Sequence, residues 1–401
     1  MTLPCATNCG GWATLTERPA YQVLYVEAIG GHRGMHYYDL ALCRALAERG
    51  MAVTWFTCDE TAIPADVSFP VDLAFRGIFG NEPAWRRGLR YGLALARIAR
   101  HRPKDVPSLV HAHFFHALPL DYAFLAWMRA RGNRLVLTAH DVTPFDAQSW
   151  SLKIVRRIYH LADRVIVHTE SSRAELLAQG VVPAERVSII SHGHYLPYVD
   201  QIPTREEARR QLGLPLDAPV VLFFGQIKAV KGLDVLLQAW PQLAARQSDA
   251  RLLIAGQVWK DDWTRYAALM DKLPLQDRLH LHLRHIPDEE VAGFFAAADV
   301  VALPYRHVYQ SGVLLMALSY GRPVVATRVG GLAEVVHDGE TGYLAPAGDP
   351  VALAEALGRV LDDPDQASAM GRRGRVLVEA EYSWSRIAEL TQQVYEQALE
   401  W

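Results

Sequence analysis

Three strand-to-helix turns in this sequence carry groups suited to holding an anion. In GQIKAVKG (225–232), Gly225 and Gly232 bracket Lys228 and Lys231, three residues apart. That spacing lets both ammonium groups face one anion, and the positive end of the helix that follows adds to them. Lysine is a compact point charge that suits a phosphate oxygen. The plainer reading is a turn with two solvated lysines. In QSGVLLMALSYG (310–321), Gln310 and Ser311 fall at cap positions, so the N–H groups of Gly312, Val313 and Leu314 are donors that need an acceptor. A capped core helix satisfies the same residues, and both readings hold together if the body packs while the first turn binds. In GGHRGMHYYDLAL (30–42), Gly30, Gly31 and Gly34 permit close backbone approach beside His32 and Arg33. The spacing is not GxGxxG, and no convincing acidic partner follows the second strand for a nicotinamide ribose, so a dinucleotide dehydrogenase is a poor fit.

Histidines supply the second kind of chemistry. TAHDVTP (138–144) ends a strand with His140 and Asp141, where a side chain opens toward a ligand. In HAHFFH (111–116), His111 and His113 share one side of a strand; a metal pair is conceivable, but the sequence fixes no third ligand. Polar positions at a strand end are the commoner explanation. The four cysteines, Cys5, Cys9, Cys43 and Cys58, form no zinc-ribbon pattern. Scattered thiols fit a reducing cytoplasm.

These turns sit in a regular alternation. Apolar β-branched runs at 21–28, 51–57, 108–114, 134–140, 164–169 and 186–191 are separated by helical stretches such as 35–49 and 170–179. After a loop at 195–203 the alternation restarts, with strands at 219–225, 250–256, 278–283, 299–304 and 323–327 and helices at 205–212, 232–246, 288–298 and 312–320. Continuous apolar strands between helices mean parallel sheets covered on both faces. The expectation is an α/β chain of two doubly wound, Rossmann-like domains, 1–197 and 198–382, facing each other across a cleft. The amphipathic segment 383–400 has no local partner, so 383–401 is expected to stand apart as a helix.

Bulk properties exclude several classes. A net charge of −3 gives no global pull toward nucleic acid. No basic start followed by an apolar run marks a signal peptide, and no segment has the length and apolarity of a membrane span. One local basic feature remains: in WRRGLRYGLALARIARHRPK (85–104), Arg86, Arg90, Arg97, His101 and Lys104 form a helical stripe. Such a helix can lie on an anionic membrane, although a solvated face is the commoner use.

Taken together, GQIKAVKGLDVLLQAW, LLIAGQ, ADVVALPYR, QSGVLLMALSYGRPVVATRVGGLAEVVHDGETGYL and YSWSRIAELTQQVYEQ, with HAHF, TAHDVTP and ADRVIVHTESSRAELL, resemble the retaining family 4 (group 1) glycosyltransferases of the GT-B fold. The likeness covers nearly the whole chain. It implies a nucleotide-sugar donor on the second domain and a glycan or lipid-linked acceptor on the first, in bacterial surface-polysaccharide or glycolipid assembly. By resemblance, Lys228 and Lys231 contact the donor diphosphate. Gly225, Gly256 and the backbone of Gln310, Ser311, Gly312, Val313 and Leu314 line the donor site, and Gly31 approaches from the first domain. His140 matches the family's strand-end histidine near the transferring sugar, and the last helix crosses back to the first domain. The departure is a pair of glutamates, eight apart in many relatives, which become Val308 and Met316 here; the arginine that often follows the first glycine is Gln226. No Asp-rich motif calls for a metal. A sugar-nucleotide binder without catalysis, or a GT-B epimerase or phosphorylase, are the alternatives.

Overall fold

The computed structural model describes residues 21–33, 35–101, 106–113, 117–143, 149–199, 201–273 and 275–400. Two parallel sheets organise it. The first contains β1 (Gln22–Val26), β2 (Ala52–Cys58), β3 (Val71–Phe75), β4 (Ser108–His113), β5 (Arg134–Ala139), β6 (Arg164–Val167) and β7 (Val187–Ile189), in the order β3-β2-β1-β4-β5-β6-β7. The second contains β8 (Val220–Phe224), β9 (Arg251–Ala255), β10 (Leu279–His282), β11 (Val300–Leu303), β12 (Val324–Thr327) and β13 (Gly342–Ala345), in the order β10-β9-β8-β11-β12-β13. Strand order reverses between β1 and β4 and again between β8 and β11. In such sheets ligands settle beyond the carboxyl ends of the strands at the reversal. The Lys228–Lys231 turn follows β8 and the Gln310–Ser311 loop follows β11, so the two adjoin at that place.

The helices are α1 (His36–Glu48), α2 (Ala84–Arg100), α3 (Pro119–Ala130), α4 (Ser149–Leu161), α5 (Glu170–Ala178), α6 (Arg205–Gln211), α7 (Leu233–Arg246), α8 (Trp263–Met270), α9 (Asp288–Ala297), α10 (Gly312–Ser319), α11 (Gly330–Val335), α12 (Pro350–Asp362), α13 (Pro364–Glu381) and α14 (Trp384–Leu399). Strand periodicity assigns the two faces of the first sheet. Leu24 and Val26 join a core with Leu95 and Ile98 of α2, Phe124 and Leu125 of α3 and Ile158 of α4. Val23 and Tyr25 point the other way, into a core with Leu42 and Leu46 of α1 and Ile387, Val394 and Tyr395 of α14. The last helix therefore closes the face of the first sheet opposite α2, α3 and α4.

Two strands escape the sequence pattern, β3 and β13. Each is a short edge strand in its sheet; β3 keeps four of its five residues only half-buried, and β13 is four residues without a β-branched side chain.

Candidate active site

The donor-side turns are built by glycines whose backbones touch. Gly225 has φ +101° and Gly256 φ +148°, both in the region that L side chains avoid. A Cβ on Gly256 would lie 1.9 Å from the Gly225 carbonyl oxygen, and one on Gly232 would lie 1.9 Å from that of Pro304. The end of β9, the lysine turn and the end of β11 are thus locked together by contacts that only glycine allows. Lys228 occupies the cap position of the single turn Ala229–Lys231. The Lys231 ammonium lies 3.7 Å from the centre of the Tyr305 ring, held by the face of its π system.

Facing these lysines from the first sheet is Asp141, directly after β5. Burial pushes its carboxyl up to about 6, while Lys228 and Lys231 pull it back. Burial draws Lys231 down to about 8, with Asp141 opposing. A carboxylate and two ammonium groups therefore share one partly desolvated space. The same loop touches the second sheet directly, because Thr143 N–H donates to the Tyr309 hydroxyl at 3.3 Å and that hydroxyl donates to Glu175 at 2.7 Å.

At α10, Ser311 is the N-cap and its hydroxyl accepts from Leu314 N–H at 3.3 Å. Leu314 is buried, and Val313 packs against Gly225, whose added Cβ would stand 3.2 Å from it. The first-turn N–H groups of Gly312 and Val313 have no acceptor within the helix. Tyr195 lies over them, since a Cβ on Gly312 would be 2.7 Å from its hydroxyl oxygen. The side-chain carbonyl oxygen of Gln310 is buried without a hydrogen-bond partner. A cavity of ≈ 190 Å³ runs between the sheets here, lined among others by Gln310, Ser311, Glu334, His168 and His192. Val308 is buried in the apolar core of the second domain and Met316 packs against it. A carboxylate at position 308 would lose its water.

His140 stands differently from the lysines. It is buried, and both ring nitrogens meet other histidines: Nε2 lies 2.8 Å from Nδ1 of His113, and Nδ1 lies 2.8 Å from Nε2 of His168. A hydrogen bond from either nitrogen to a substrate would have to replace one of these. His111, which shares a strand side with His113, bonds Tyr395 of α14 at 2.6 Å and Thr138 at 2.8 Å. Among the described residues, no group of three or more His, Cys, Asp or Glu is arranged to hold a metal.

On the first-sheet side, Gly31 N–H donates to Thr61 Oγ1 at 3.1 Å, and a Cβ on Gly31 would lie 2.1 Å from the Glu60 carbonyl oxygen. The close approach visible at Gly31 is to its own domain. Glu27 braces this loop by accepting from the backbone of Ile29 and Gly30, and burial pushes its carboxyl up to about 7. Gly34, Lys104, His116, Cys5 and Cys9 lie outside the described residues.

The sequence named the lysines and the α10 turn as donor-side groups, and the strand order brings them to one reversal. Sequence reasoning noted Asp141 but gave it no role, and it used only the backbone of Gln310. The signal for Asp141 was available: a strand-end carboxylate one residue beyond His140, opposite the lysine turn of the other domain.

Comparison with known proteins agrees with this architecture. Residues 32–195 match Glycosyltransferase Family 4, and residues 218–363 match Glycosyl transferases group 1. A D-inositol 3-phosphate glycosyltransferase of Corynebacterium urealyticum is 34% identical over 394 residues, covering 91% of each chain. An alpha-D-kanosaminyltransferase of Streptomyces kanamyceticus is 26% identical, over 90% of this chain and 99% of that one. Among solved structures, a sucrose-phosphate synthase of Thermosynechococcus elongatus superposes with a TM-score of 0.76 at 26% identity, over 95% of this chain and 99% of that one. The Anabaena HepE protein in complex with UDP-glucose shares the fold, with a TM-score of 0.72 at 20% identity over 95% of this chain and 100% of that one. The chain belongs to the family 4, group 1 glycosyltransferases and is an enzyme of the GT-B fold that uses nucleotide-sugar donors.

Proposed function

We propose that this chain transfers a sugar from its nucleotide donor to a glycan or lipid-linked acceptor with retention of configuration, in the building of a surface polysaccharide or glycolipid. The observation that carries the reading is the meeting of Lys228, Lys231 and Asp141 at the strand reversal, beside the first turn of α10. Two ammonium groups and free N–H donors are what a departing nucleoside diphosphate requires, because charge builds on its phosphate as the sugar turns oxocarbenium-like. That phosphate then takes the acceptor's proton, so neither a protein base nor a metal is needed. The orphan carbonyl oxygen of Gln310 is an acceptor for a sugar hydroxyl. Val308 and Met316 stand where many relatives carry glutamates, so those carboxylates do not hold the donor here. Their loss should raise the donor concentration required more than it lowers turnover.

A screen of the purified protein against UDP-, GDP-, ADP- and dTDP-sugars tests this. HepE in complex with UDP-glucose puts UDP-sugars first in the panel, and the relatives' names place D-inositol 3-phosphate among the soluble acceptors. Release of a nucleoside diphosphate from one donor, with α-linked product from an α-linked donor, is the expected result. Binding without release in the presence of every acceptor would replace the reading with a catalytically silent binder.

A further inference from the structure

Helix α2 has two apolar faces. Ala94, Leu95, Ile98 and Ala99 are buried against the first sheet. Trp85, Leu89 and Leu93, spaced four apart and so aligned on one side, point outward with 67%, 58% and 61% exposure.

The ridge continues onto α3. A Cβ on Gly92 would be 3.9 Å from Leu120 Cδ1, and Leu118, Leu120 and Trp127 are all exposed. Cations surround it. Helix α2 carries Arg86, Arg87, Arg90, Arg97 and Arg100, α3 carries Arg129, and α4 beside it carries Lys153, Arg156 and Arg157. The sole acidic residue in these three helices is Asp121, which is buried and accepts from Tyr91 and from Leu118 N–H. Glu82 offsets Arg90, Asp72 offsets Arg97 and the buried Asp163 offsets Arg129. In a chain whose net charge is −3, the face formed by α2, α3 and α4 is strongly positive. The arginines also frame the aromatics, with Arg86 5.2 Å from the Trp85 ring and Arg131 4.8 Å from that of Trp127.

We propose that this face seats the protein on an anionic phospholipid surface, with Trp85, Leu89, Leu93 and Leu120 entering the headgroup region and the arginines paired with lipid phosphates. An apolar ridge with a tryptophan, bordered by cations, is the chemistry of an interfacial helix. A nucleic-acid surface would use the cations but has no place for exposed leucines, which stack on nothing. Self-association through the same patch would set arginines against arginines across a two-fold axis. Topology adds a consequence: α2 follows β3 and α3 follows β4, so Trp85 and Leu118 lie at the carboxyl end of the first sheet, where the cleft opens. A bilayer at this face brings the cleft mouth to the membrane, which, on the transferase reading, suits an acceptor carried on a lipid.

The test needs no donor or acceptor, so it stands or falls apart from the transferase reading. The whole chain is sedimented with vesicles of phosphatidylcholine alone, and with vesicles in which about a third of the lipid is phosphatidylglycerol. Binding to the anionic vesicles at least tenfold tighter than to neutral ones is expected. Leu89→Glu and Leu93→Glu should each weaken it about tenfold. Both positions are on the surface, so thermal unfolding should match the parent. Equal binding to both vesicles, or none, overturns the proposal. So does binding that Leu89→Glu leaves unchanged, a single-stranded oligonucleotide that binds more tightly than the vesicles, or a dimer that Leu89→Glu dissociates.

Discussion

Nδ1–H of His140 donates to Nε2 of His168 at 2.8 Å, and the direction of this bond follows from a third residue. His168 Nδ1 lies 2.8 Å from the carbonyl oxygen of Ile190, which only accepts, so that nitrogen carries the ring hydrogen. Nε2 of a neutral His168 is then an acceptor, Nε2 of His140 is likewise an acceptor, and His113 Nδ1–H donates to it. The chain ends at His113 Nε2, buried and unpartnered. One backbone carbonyl therefore sets the tautomer of three rings.

Burial keeps these rings neutral. It draws His168 down to about 4 and His111 and His192 to about 3. Unfolded histidine titrates near 6.5, so below that pH the unfolded chain binds more protons and the fold loses stability as pH falls. Each such group costs about 1.4 kcal/mol per pH unit until its folded value is reached. Three together reach the order of 5 kcal/mol near pH 5. Thermal unfolding should show a Tm falling steadily between pH 7 and 5, and ¹⁵N spectra should show the Nδ1–H form of His140. A flat Tm across that window would mean that these buried histidines already carry charge in the folded protein.

Replacing Lys231 should strike the chemistry. In the cleft its ammonium lies against Tyr305, whereas Lys272 is exposed beyond α8. Lys231→Ala should slow donor hydrolysis by roughly 10²–10³, and Lys272→Ala should leave it within twofold of the parent. Equal effects would remove Lys231 from the phosphate site.

The pH profile tests Asp141 against the same lysine. With Lys231 at about 8, the free enzyme loses its cation above that pH. The value of kcat/KM for donor hydrolysis should then fall about tenfold per pH unit on the alkaline side. Asp141 is the charge that holds Lys231 protonated, so Asp141→Asn should move the alkaline break to lower pH. A break that stays in place would show that the two charges do not communicate.

How far the sequence reached can be judged on these residues. The parallel sheets were legible because β8 and the Val23–Val26 stretch of β1 are continuous apolar runs buried in the sheets, and the restart after β7 separated the two sheets. Lys228, Lys231 and Ser311 were legible because glycines and caps fix such turns locally. Partnerships between loops of different strands were not. Which carboxylate faces Lys231, and that His113 and His168 occupy both nitrogens of His140, depend on how loops after different strands converge. Helix α2 shows a different limit. Leu89 and Leu95 are equally apolar in sequence, and only the docking of the helix decides that one is exposed and the other buried.

A further joint between the two domains is made by Glu334, in α11. Its carboxylate accepts from Glu170 N–H at 2.8 Å and from Ser171 N–H at 3.0 Å, at the first turn of α5. It therefore caps, from the second domain, a helix of the first, where a negative charge also meets the positive helix end. Tyr309 and Glu175 make a second link to the same helix. Loss of a cap costs about 1 kcal/mol, and here that energy belongs to the contact between domains as much as to α5. Glu334→Ala should therefore open the cleft, increasing the radius of gyration in solution scattering and raising the donor KM several-fold. Glu334→Gln, which retains an acceptor and loses the charge, should fall between parent and Ala. If Glu334→Ala lowered thermal stability but left scattering and KM unchanged, the carboxylate would be a helix cap with no hold on the cleft. The joint would then rest on Tyr309 and Glu175, and Tyr309→Phe should open it.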